Sequence, residues 1–519
     1  MKLSTEILVI GAGATGLGIA WDACLRGYKV IVLEQGDLAE GTSGRYHGLL
    51  HSGARYAVSD PASAADCAAE NAILRQVVSP CIEDTGGVFL VLPGDPPEYP
   101  DRWQRACQSA SVPVEEIPPS RILQREPALP HGMERAFHVK DAALDSFQLL
   151  HSLARSIEEA GGQVRLRHAG LRFLRHRSRV TGVEVQDRRT GRTLRIESEL
   201  IVNAAGPWAG RVASRAGLRL PLALSRGTMI AFAGRPVQTV VNRCTFPGDG
   251  DIVVPIGTVA VLGTTDEPVS APDHTQIETD EVQALVRLGR VLLPDIDQHR
   301  LLRAWVGIRP LYRPPGGRSS QTRSLPRAHY ILDHDALHGV PGLISVLGGK
   351  LTTYRRMAEQ TVDVAASQLG ARRPCQTSST SLRGARHHPY HRLPDRLARL
   401  DRGPAKGPHE IVCECELVTR HDIHDALERA PTTDLDDLRR GLRLGMGPCQ
   451  AAFCAYRAAD IVRKSMPQAP ADGGLIPFLE ERWRGIRALA WGPMLRQVEL
   501  NQRITFELLG AAAPKTGPS

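Results

Sequence analysis

The sequence predicts an α/β fold with a parallel sheet near its N-terminus. Three observations support this prediction. An apolar strand at the start of the chain runs into a glycine-rich turn, and two later strands, near 199–204 and 343–348, also end in small residues. Small residues at the ends of parallel strands let backbone groups approach a ligand closely. Together the three segments favour a nucleotide-binding fold.

The first of these segments is a complete βαβ unit. Residues 6–10, EILVI, form an apolar strand that leads into Gly11-x-Gly13-x-x-Gly16 and a small-residue helix, and the next strand ends at Glu34. Gly11 permits the tight turn, Gly13 lets the backbone approach a pyrophosphate, and Gly16 lets the helix pack close to the strand. Glu34 stands where a carboxylate accepts hydrogen bonds from the ribose hydroxyls.

The expected dinucleotide is FAD and not NAD. The fingerprint opens the chain, as it usually does in flavoproteins. The strand ELIVN ends before Ala205 and Gly206, where small residues permit close approach of the backbone to the cofactor. A later strand, LISVL, leads through Gly348 and Gly349 into a helix whose N-terminus suits the pyrimidine end of a flavin. Three strand-to-turn sites of this kind fit FAD better than NAD.

Length and composition predict several domains of a soluble globular protein. A chain of 519 residues is too long for one core, and its apolar fraction of 42% and charged fraction of 23% are ordinary. The start of the chain lacks the pattern of a signal peptide, and no apolar stretch is long enough to span a bilayer. We therefore expect a cytoplasmic protein with reduced thiols.

The net charge of +8 has three possible meanings: a solvated linker, a membrane-surface contact or nucleic-acid binding. We favour the linker, because the excess lies in a segment that is also rich in Pro, Ser and His. No nucleic-acid partner is expected, since no recognition motif accompanies the charge. The basic residues of this segment are Arg372, Arg373, Arg383, Arg386, Arg392, Arg396, Arg399, Arg402 and Lys406.

Three cations are candidates for binding an anionic substrate. Arg55 ends the stretch GTSGRYHGLLHSGAR, Arg309 lies in WVGIRPLY, and Lys350 follows the second glycine of LGGKLTTYR. The planar fork of Arg makes two charge-assisted hydrogen bonds to a phosphate, and Lys adds a point charge. The alternative for each residue is an ordinary surface salt bridge.

His47 and His51 are candidates for a catalytic base. An unperturbed imidazole has a pKa near 6.5, which suits proton abstraction from an alcohol while a hydride leaves for a flavin. Either residue could instead be a structural histidine with satisfied hydrogen bonds.

Two cysteine pairs near the C-terminus predict a metal or redox centre. The spacer between them reads as two short helices, with Thr419 and Thr433 as N-caps. Four thiolates can hold Zn²⁺ or an iron–sulfur cluster, and the C-x-C spacing is short for zinc. The remaining cysteines are expected to pack in the core. The pairs are Cys413 with Cys415 and Cys449 with Cys454; the others are Cys24, Cys67, Cys81, Cys107, Cys244 and Cys375.

Several motifs resemble the FAD-dependent glycerol-3-phosphate dehydrogenases. They are GAGATGLGIAWDACLRGYKVIVLEQGDLAEGTSGRYHGLLHSGARYAV, VNAAGPWAG, GIRPL and GGKLTTYR. HGLLHSGARY and the C-terminal cysteines resemble the large subunit of the anaerobic enzymes, and the resemblance extends to ERWRGIRALAWG near the end. It implies oxidation of sn-glycerol 3-phosphate to dihydroxyacetone phosphate, with FAD and a [2Fe–2S] cluster held by the four paired cysteines.

The resemblance also implies a domain organisation. A Rossmann-type FAD domain, similar to the D-amino-acid-oxidase-like flavoproteins, is built from separated segments and carries an inserted α+β substrate domain. A small helical domain similar to the bacterioferritin-associated ferredoxins follows. The expected bounds are about 1–60, 150–215 and 330–365 for the FAD domain, 61–149 and 216–329 for the substrate domain, 366–408 for the linker, 409–465 for the [2Fe–2S] domain and 466–519 for a helical tail.

Roles of individual residues follow from the resemblance as well. His51 would be the base, Arg309 would neutralise the alkoxide or hold the phosphate, and Lys350 would lie near flavin and substrate. Where the aerobic enzymes have His-Gly-Gly this chain has His51-Ser52-Gly53, so its loop geometry is expected to differ. Further substrate contacts would come from Arg55, Tyr56, Thr352, Thr353 and either Arg327 or Arg323, and further FAD contacts from Thr42 and Ser43.

The resembled enzymes pass their electrons onward. The resemblance implies two partner subunits, one a flavoprotein and the other an iron–sulfur membrane anchor, that lead to a quinone. This chain would then be bound peripherally at the cytoplasmic face of the inner membrane. FMN elsewhere in the complex is left open. Two alternatives also remain open: a dehydrogenase or oxidase of amino acids or 2-hydroxy acids, and a protein that only relays electrons.

Overall fold

The computed structural model describes residues 2–313, 322–370, 374–382, 410–430, 432–508 and 510, together with 394, 397, 398 and 400. The basic residues that carry the linker prediction lie outside this part of the chain. In the described part, no helix is long and apolar enough to cross a membrane.

The strands are numbered along the chain. They are β1 (Lys2–Ile10), β2 (Val30–Leu33), β3 (Leu49–Leu50), β4 (Ile82–Glu83), β5 (Gly87–Val91), β6 (Val114–Ile117), β7 (Arg135–Val139), β8 (Ala142–Leu144), β9 (Gln163–Arg165), β10 (His168–His176), β11 (Arg179–Asp187), β12 (Thr193–Asn203), β13 (Leu222–Ala233), β14 (Val240–Arg243), β15 (Ile252–Ile256), β16 (Val259–Gly263), β17 (Glu267–Val269), β18 (Leu301–Tyr312), β19 (His329–Asp333), β20 (Leu343–Gly348), β21 (Ile411–Cys413) and β22 (Val418–Thr419).

The α-helices are numbered in the same way. They are α1 (Ala14–Leu25), α2 (Pro61–Val77), α3 (Tyr99–Ser109), α4 (Pro119–Arg125), α5 (Ser146–Glu159), α6 (Ala209–Ser214), α7 (Thr279–Gly289), α8 (His334–His338), α9 (Tyr354–Gln368), α10 (Arg420–Arg429), α11 (Leu435–Leu442), α12 (Cys454–Ser465), α13 (Leu475–Arg487) and α14 (Met494–Gln502).

The first sheet has β1 at its centre. Parallel pairing joins β1 to β2 on one side and to β12 on the other, with Ile7 beside both Val30 and Leu200. β20 runs parallel to β12, so all three predicted strand-and-turn segments reach the same edge. Ile7 is fully buried because helices α1, α5 and α9 cover one face of the sheet. The predicted βαβ unit is confirmed.

The second sheet combines strands from two distant parts of the chain. Its order is β17-β13-β16-β15-β14-β5-β7-β6, with β18 also paired to β13. β14 and β5 pair in parallel, which joins 222–312 to 87–139. Both parts lie within the two predicted substrate-domain segments, whose bounds stay a prediction. A small sheet, β3-β8-β4, holds the two residues that precede His51.

A buried ion pair joins α2 to α9. The Arg355 guanidinium donates to both carboxylate oxygens of Glu70, at 2.9 Å and 2.6 Å, and also to Thr377 at 3.1 Å. The side chains of Glu70 and Arg355 are 1% and 7% exposed. Arg355 also pairs with the partly exposed Glu359 at 2.8 Å, so removal of Glu70 leaves the buried guanidinium with a weaker counter-charge.

The cysteine-bearing unit has its own core. Val412, Ile423, Leu438 and Phe478 are buried together in it. Thr419 caps α10 through a capping box with Asp422, as predicted.

The prediction that Thr433 caps the second spacer helix is wrong. The N-cap of α11 is Asp434, whose carboxylate accepts a hydrogen bond from the Asp436 N–H at 2.8 Å. A charged acceptor one residue further on therefore sets the start of the helix.

The C-terminal tail packs against two units. Leu475 and Phe478 belong to the core of the cysteine-bearing unit, whereas Ala488 and Leu489 belong to a core beneath the second sheet. Gly485 passes so close to β18 that a Cβ atom there would lie 2.7 Å from the Ala304 carbonyl oxygen. The tail thus ties the cysteine-bearing unit to the second sheet.

We predict that Glu70→Gln lowers the free energy of unfolding by about 2 kcal/mol, because the buried Arg355 then keeps only the partly exposed Glu359 as a counter-charge. Urea-induced unfolding monitored by circular dichroism measures the change. Glu499→Gln is the matched control: it breaks an ion pair with Arg503 whose side chains are 59% and 63% exposed, and it should cost less than about 1 kcal/mol. Equal effects of the two substitutions would contradict the prediction.

Candidate active site and thiol cluster

A cavity of about 1440 Å³ lies where the first sheet meets the second. Most of the predicted site residues line it, although they come from widely separated segments. Gly16, Thr352 and Thr353 do not line it. The predicted residues that do are Gly11, Gly13, Glu34, Thr42, Ser43, His47, His51, Arg55, Tyr56, Ala205, Gly206, Arg309, Arg323, Arg327, Gly348, Gly349 and Lys350.

The glycines of the first turn hold strand and helix in close contact. Gly11 has φ +107°, and a Cβ atom there would lie 2.6 Å from the Ala204 carbonyl oxygen. A Cβ atom on Gly16 would lie 1.9 Å from the Gly11 carbonyl oxygen, so Gly16 acts through helix packing. This is the contact that the sequence pattern predicts for its third glycine.

Glu34 and Ser43 organise the same end of the cavity. The Glu34 carboxylate accepts hydrogen bonds from the N–H groups of Ala12 and Gly36, both at 2.9 Å. Burial raises the pKa of Glu34, and these two bonds oppose the rise. The Ser43 hydroxyl accepts from the Ala14 N–H at 3.0 Å, at the first residue of α1.

Thr42 contacts the opposite wall. Its hydroxyl donates to the Ile308 carbonyl at 2.5 Å, directly before Arg309 in β18. This bond ties the loop after β2 to the strand that carries a predicted catalytic cation.

Arg309 is held by backbone and hydroxyl acceptors. Its guanidinium donates to the Thr264 hydroxyl at 2.6 Å and to the Thr265 carbonyl at 3.0 Å. Burial, followed by the charge of Arg327, lowers the pKa of Arg309 to about 10. A Cβ atom on Gly227 would lie 2.3 Å from the guanidinium, so only glycine leaves this space.

Asp266 lies between two of the arginines. It is 3.8 Å from Arg309 and 3.3 Å from Arg327. Burial alone would raise its pKa, but hydrogen bonds from Ser225 and Thr322, followed by the two arginines, hold the pKa of Asp266 below its usual value. Asp266 therefore stays ionised and offsets part of the positive charge.

Arg327 and Arg323, the two alternatives for one substrate contact, have different ion-pair partners in the structure. Arg327 shares Asp266 with Arg309, whereas Arg323 pairs with Asp249 in a more exposed position. Both line the cavity, but Arg327 belongs to the inner group of cations.

Arg55 and Lys350 complete this group. Arg55 donates to Asp251 at 2.7 Å, and the two side chains are only 12% and 6% exposed. The Lys350 ammonium lies 4.5 Å from the centre of the Tyr56 ring and donates to the Arg327 carbonyl at 3.1 Å. All of the predicted cations thus contact or adjoin the same cavity.

Both histidines line the cavity, and burial, followed by Arg55 and Arg309, lowers the pKa of His47 to about 3, but the contacts of the two rings differ. The Nδ1 atom of His47 accepts a hydrogen bond from the Leu49 N–H at 3.2 Å, so this imidazole serves the turn. The ring of His51 lies 5.1 Å from that of Tyr56 in the cavity wall. Burial, followed by the neighbouring His47, Lys350 and Arg55, lowers the pKa of His51 well below 6.5. His51 is therefore neutral at pH 7, which is the form that accepts a proton.

Several residues that hold the His51 loop have no sequence signal. Asp141 accepts from the Ser52 N–H at 2.7 Å, and Asn71 donates to the His51 carbonyl at 3.1 Å.

The two predicted threonines make local hydrogen bonds. Thr352 accepts from the His51 N–H at 3.1 Å, so its hydroxyl supports the loop from behind. Thr353 donates to the Lys350 carbonyl at 3.2 Å, within its own turn.

The other predicted cluster, of four thiols, is assembled in the C-terminal unit. Cys413 hydrogen-bonds to Cys454, Cys415 to Cys449, and Cys449 to Cys454. Within the described ranges, no group of three or more His, Cys, Asp and Glu side chains is already arranged around a single metal ion. Of the six remaining cysteines, five are buried and Cys375 is half-buried.

Backbone N–H groups point at three of these sulfur atoms, and the Cys449 N–H is directed at Cys415. Hydrogen bonds from the neighbouring thiols, and then from the N–H groups of Ala451 and Ala452, lower the pKa of Cys449. A hydrogen bond from Cys454, and then bonds from the N–H groups of Gly445 and Glu416, lower the pKa of Cys413. Such bonds stabilise thiolates, which is the form that binds iron.

Positive φ angles at Leu417, Gln450 and Ala451 shape the loops that carry the thiols. Non-glycine residues seldom adopt this conformation, and such residues cluster at functional sites.

Two known families match separate parts of the chain, one containing the cavity and the other containing the four thiols. The family model described as FAD dependent oxidoreductase matches residues 6–355. The model described as BFD-like [2Fe-2S] binding domain matches residues 411–464. The chain therefore carries an FAD-binding and a [2Fe–2S]-binding domain.

Two relatives match nearly the whole chain. Both are named as subunits of anaerobic glycerol-3-phosphate dehydrogenase. The one from Haloferax volcanii, designated A1, is 38% identical, over 97% of this chain and 90% of that protein. The one from Escherichia coli (strain K12), designated A, is 37% identical, over 98% and 97%. The chain belongs to this family of anaerobic glycerol-3-phosphate dehydrogenase subunits.

Solved structures agree with the fold of this dehydrogenase. The FAD complex of glycerol-3-phosphate dehydrogenase from Bacillus halodurans has a TM-score of 0.60 and 21% identity, over 98% of this chain and 87% of that one. The FAD-bound L-alpha-glycerophosphate oxidase from Mycoplasma pneumoniae has a TM-score of 0.59 and 16% identity, over 73% and 99%. At these identities the likeness concerns the fold alone.

The residues of the dehydrogenase fit both cofactors. The close approach at Gly11 leaves room for a pyrophosphate beside the start of α1, and Glu34 lies at the end of β2. The N–H groups directed at Cys413 and Cys449 suit the sulfur ligands of an iron–sulfur cluster.

We predict that Gly11→Ala causes loss of FAD. The new methyl group must displace the Ala204 carbonyl beside the pyrophosphate position, and a cost of about 1.4 kcal/mol would already lower the affinity tenfold. The flavin absorbance per chain after purification measures the effect. Gly217→Ala is the matched control, because Gly217 has φ +72° with no atom within 4 Å of a Cβ. Both substitutions strain the backbone, and only the first should release FAD.

Proposed function

We propose that the chain oxidises sn-glycerol 3-phosphate to dihydroxyacetone phosphate, with transfer of a hydride to FAD. The observation that carries the proposal is a neutral His51 among cations in one cavity wall. The names of the relatives supply the substrate. FAD, when bound, is the hydride acceptor.

His51 is proposed as the base. Its neutral imidazole would accept the proton of the substrate hydroxyl that becomes the carbonyl oxygen. Thr352, Asn71 and, through Ser52, Asp141 hold the loop that carries it. The nearby positive charges of Arg55 and Lys350 favour the neutral form before the reaction and would stabilise negative charge that develops on the oxygen.

The inner cations are proposed to bind the phosphate. Arg55, Arg309, Arg327 and Lys350 line the same cavity, and three carboxylates contact the three arginines. The guanidinium forks and the ammonium group that face one cavity suit a phosphate dianion. Tyr56 lies beside Lys350 and would contact the substrate backbone. The three carboxylates are Asp60, Asp251 and Asp266.

The four thiols are proposed as the next electron carrier. Cys413, Cys415, Cys449 and Cys454 would hold a [2Fe–2S] cluster, which accepts one electron at a time. Further subunits would carry the electrons to a membrane quinone, with this chain attached peripherally to the cytoplasmic face. The support is the name of the relatives, which are subunits of a larger enzyme.

An anaerobic absorbance titration with sn-glycerol 3-phosphate tests the function. Bleaching of the flavin band, without a response to glycerol or lactate, is the expected result. Arg309→Gln should abolish the response to the phosphate ester while the flavin stays reducible by dithionite. Bleaching by an amino acid or a 2-hydroxy acid instead would replace the substrate assignment. No bleaching by any of them, with FAD present, would favour a protein that only relays electrons.

We predict that His51→Asn slows flavin reduction by the substrate about 10²- to 10⁴-fold without loss of FAD. Stopped-flow absorbance measures the rate. Only the neutral imidazole accepts a proton, so activity is present above the folded-state pKa and is lost as pH falls through it. Because that pKa lies well below 6.5, the wild-type rate should show no titration of His51 between pH 6 and 8. A wild-type rate that halves near pH 6.5 would contradict this role.

A further inference from the structure

Arg443 crosses the boundary between the cysteine-bearing unit and residues 6–355, the whole region that matches the FAD dependent oxidoreductase family and that is called the FAD domain from here on. It directly follows α11 and has φ +64°, which turns the chain and directs the side chain out of the unit. Its side chain is only 11% exposed. A residue held in the left-handed region without being glycine is fixed by its surroundings.

The surroundings of Arg443 come from three segments. Its Nε donates to Glu416 at 3.2 Å, and its Nη1 donates to Asp145 at 2.9 Å. A Cβ atom on Gly257 would lie 2.7 Å from its Nη2, so the turn between β15 and β16 leaves space for the guanidinium. The Thr258 hydroxyl in this turn also donates to Glu416, at 2.9 Å.

Each partner of Arg443 leads to one of the two redox sites. Glu416 directly follows Cys415, and its own N–H bonds to the sulfur of Cys413. Asp145 caps α5 and directly follows β8. β8 pairs with β3, and His51 is the next residue after β3. A single guanidinium thus joins a thiol loop to the strand pair beneath the proposed base.

Arg440, one turn earlier, makes a second contact of the same kind. It donates to Asp37 at 3.0 Å and to Glu40 at 3.4 Å, in the loop that follows Glu34. The side chains of Arg440 and Asp37 are 7% and 8% exposed. The end of α11 is therefore held to the FAD domain at two separate points.

We propose that Arg443, supported by Arg440, is a positioning residue that fixes the thiol cluster relative to the flavin and so sets the rate of electron transfer between them. The proposal rests on the proposed function of the two sites. Two-electron-reduced FAD would give one electron to the oxidised [2Fe–2S] cluster. The quinone-linked partner subunits proposed above would then reoxidise the cluster, which could accept the second electron. Transfer between fixed centres depends on their distance and orientation, so a small displacement of the unit should slow it.

The test separates the two steps in the holoenzyme. Arg443→Gln is mixed anaerobically with sn-glycerol 3-phosphate, flavin reduction is followed by stopped-flow absorbance, and cluster reduction by freeze-quench EPR. We expect flavin reduction at the wild-type rate and cluster reduction slowed at least about tenfold, as geometric misplacement commonly costs. Arg443→Lys, which can reach only one of the two carboxylates, should recover part of the rate.

Arg457→Gln is the matched control. Arg457 pairs with Glu414 beside Cys415, but both side chains belong to the cysteine-bearing unit and are 43% and 57% exposed. Its loss should leave the transfer rate unchanged. Hydrogen exchange of amides in 411–464 and in 143–149 gives an independent readout, with faster exchange expected in Arg443→Gln and not in Arg457→Gln.

Wild-type transfer in Arg443→Gln, with iron and FAD contents unchanged, would overturn the proposal. If Arg443→Gln does not retain its iron, Asp145→Asn weakens the same contact from the FAD domain and should slow the transfer alone; a wild-type rate there would also overturn it. If the substrate fails to reduce the flavin in the wild-type protein, the proposed function has failed, and photochemical reduction of the flavin starts the same transfer without substrate.

Discussion

Positive charge held in a largely buried cavity is the constraint on which the surrounding structure depends. Arg55 and Arg309 face space that a ligand can occupy, although unpaired buried cations are costly. Asp251 and Asp266 offset part of the charge, and backbone carbonyls accept from Arg309. Burial, followed by the neighbouring His47, Lys350 and Arg55, keeps His51 in its neutral form. One electrostatic arrangement therefore prepares both anion binding and proton abstraction.

The parts of this arrangement that sequence could predict are those determined within a few neighbouring residues. The strand, turn and helix around Gly11 and Gly16 follow from the steric demands of one tight turn. The capping box at Thr419 follows from two residues three positions apart. The grouping of the four cysteines follows from two short motifs, whereas the hydrogen bonds in the fold run between the motifs, from Cys413 to Cys454 and from Cys415 to Cys449.

The parts that sequence could not predict depend on distant segments. Asp251 is an ordinary acid in the sequence, and its pairing with Arg55 spans 196 positions. Asp141 likewise meets Ser52 across 89 positions. Thr352 shows a further limit, because its motif indicates a substrate contact, whereas its hydroxyl faces the His51 backbone and not the cavity. A motif gives the neighbourhood of a residue and leaves the direction of its side chain open.

The interleaving of the two sheets has a consequence for synthesis of the chain. β1 is made first, but its partner β12 ends at Asn203, and β20 with the Gly348–Gly349 turn comes much later. A nascent chain therefore carries apolar strands that stay unpaired until later segments are synthesised. Chaperones are most needed under this condition. The described cavity wall is complete only after Met357, so the growing polypeptide should retain FAD only once that residue has been made.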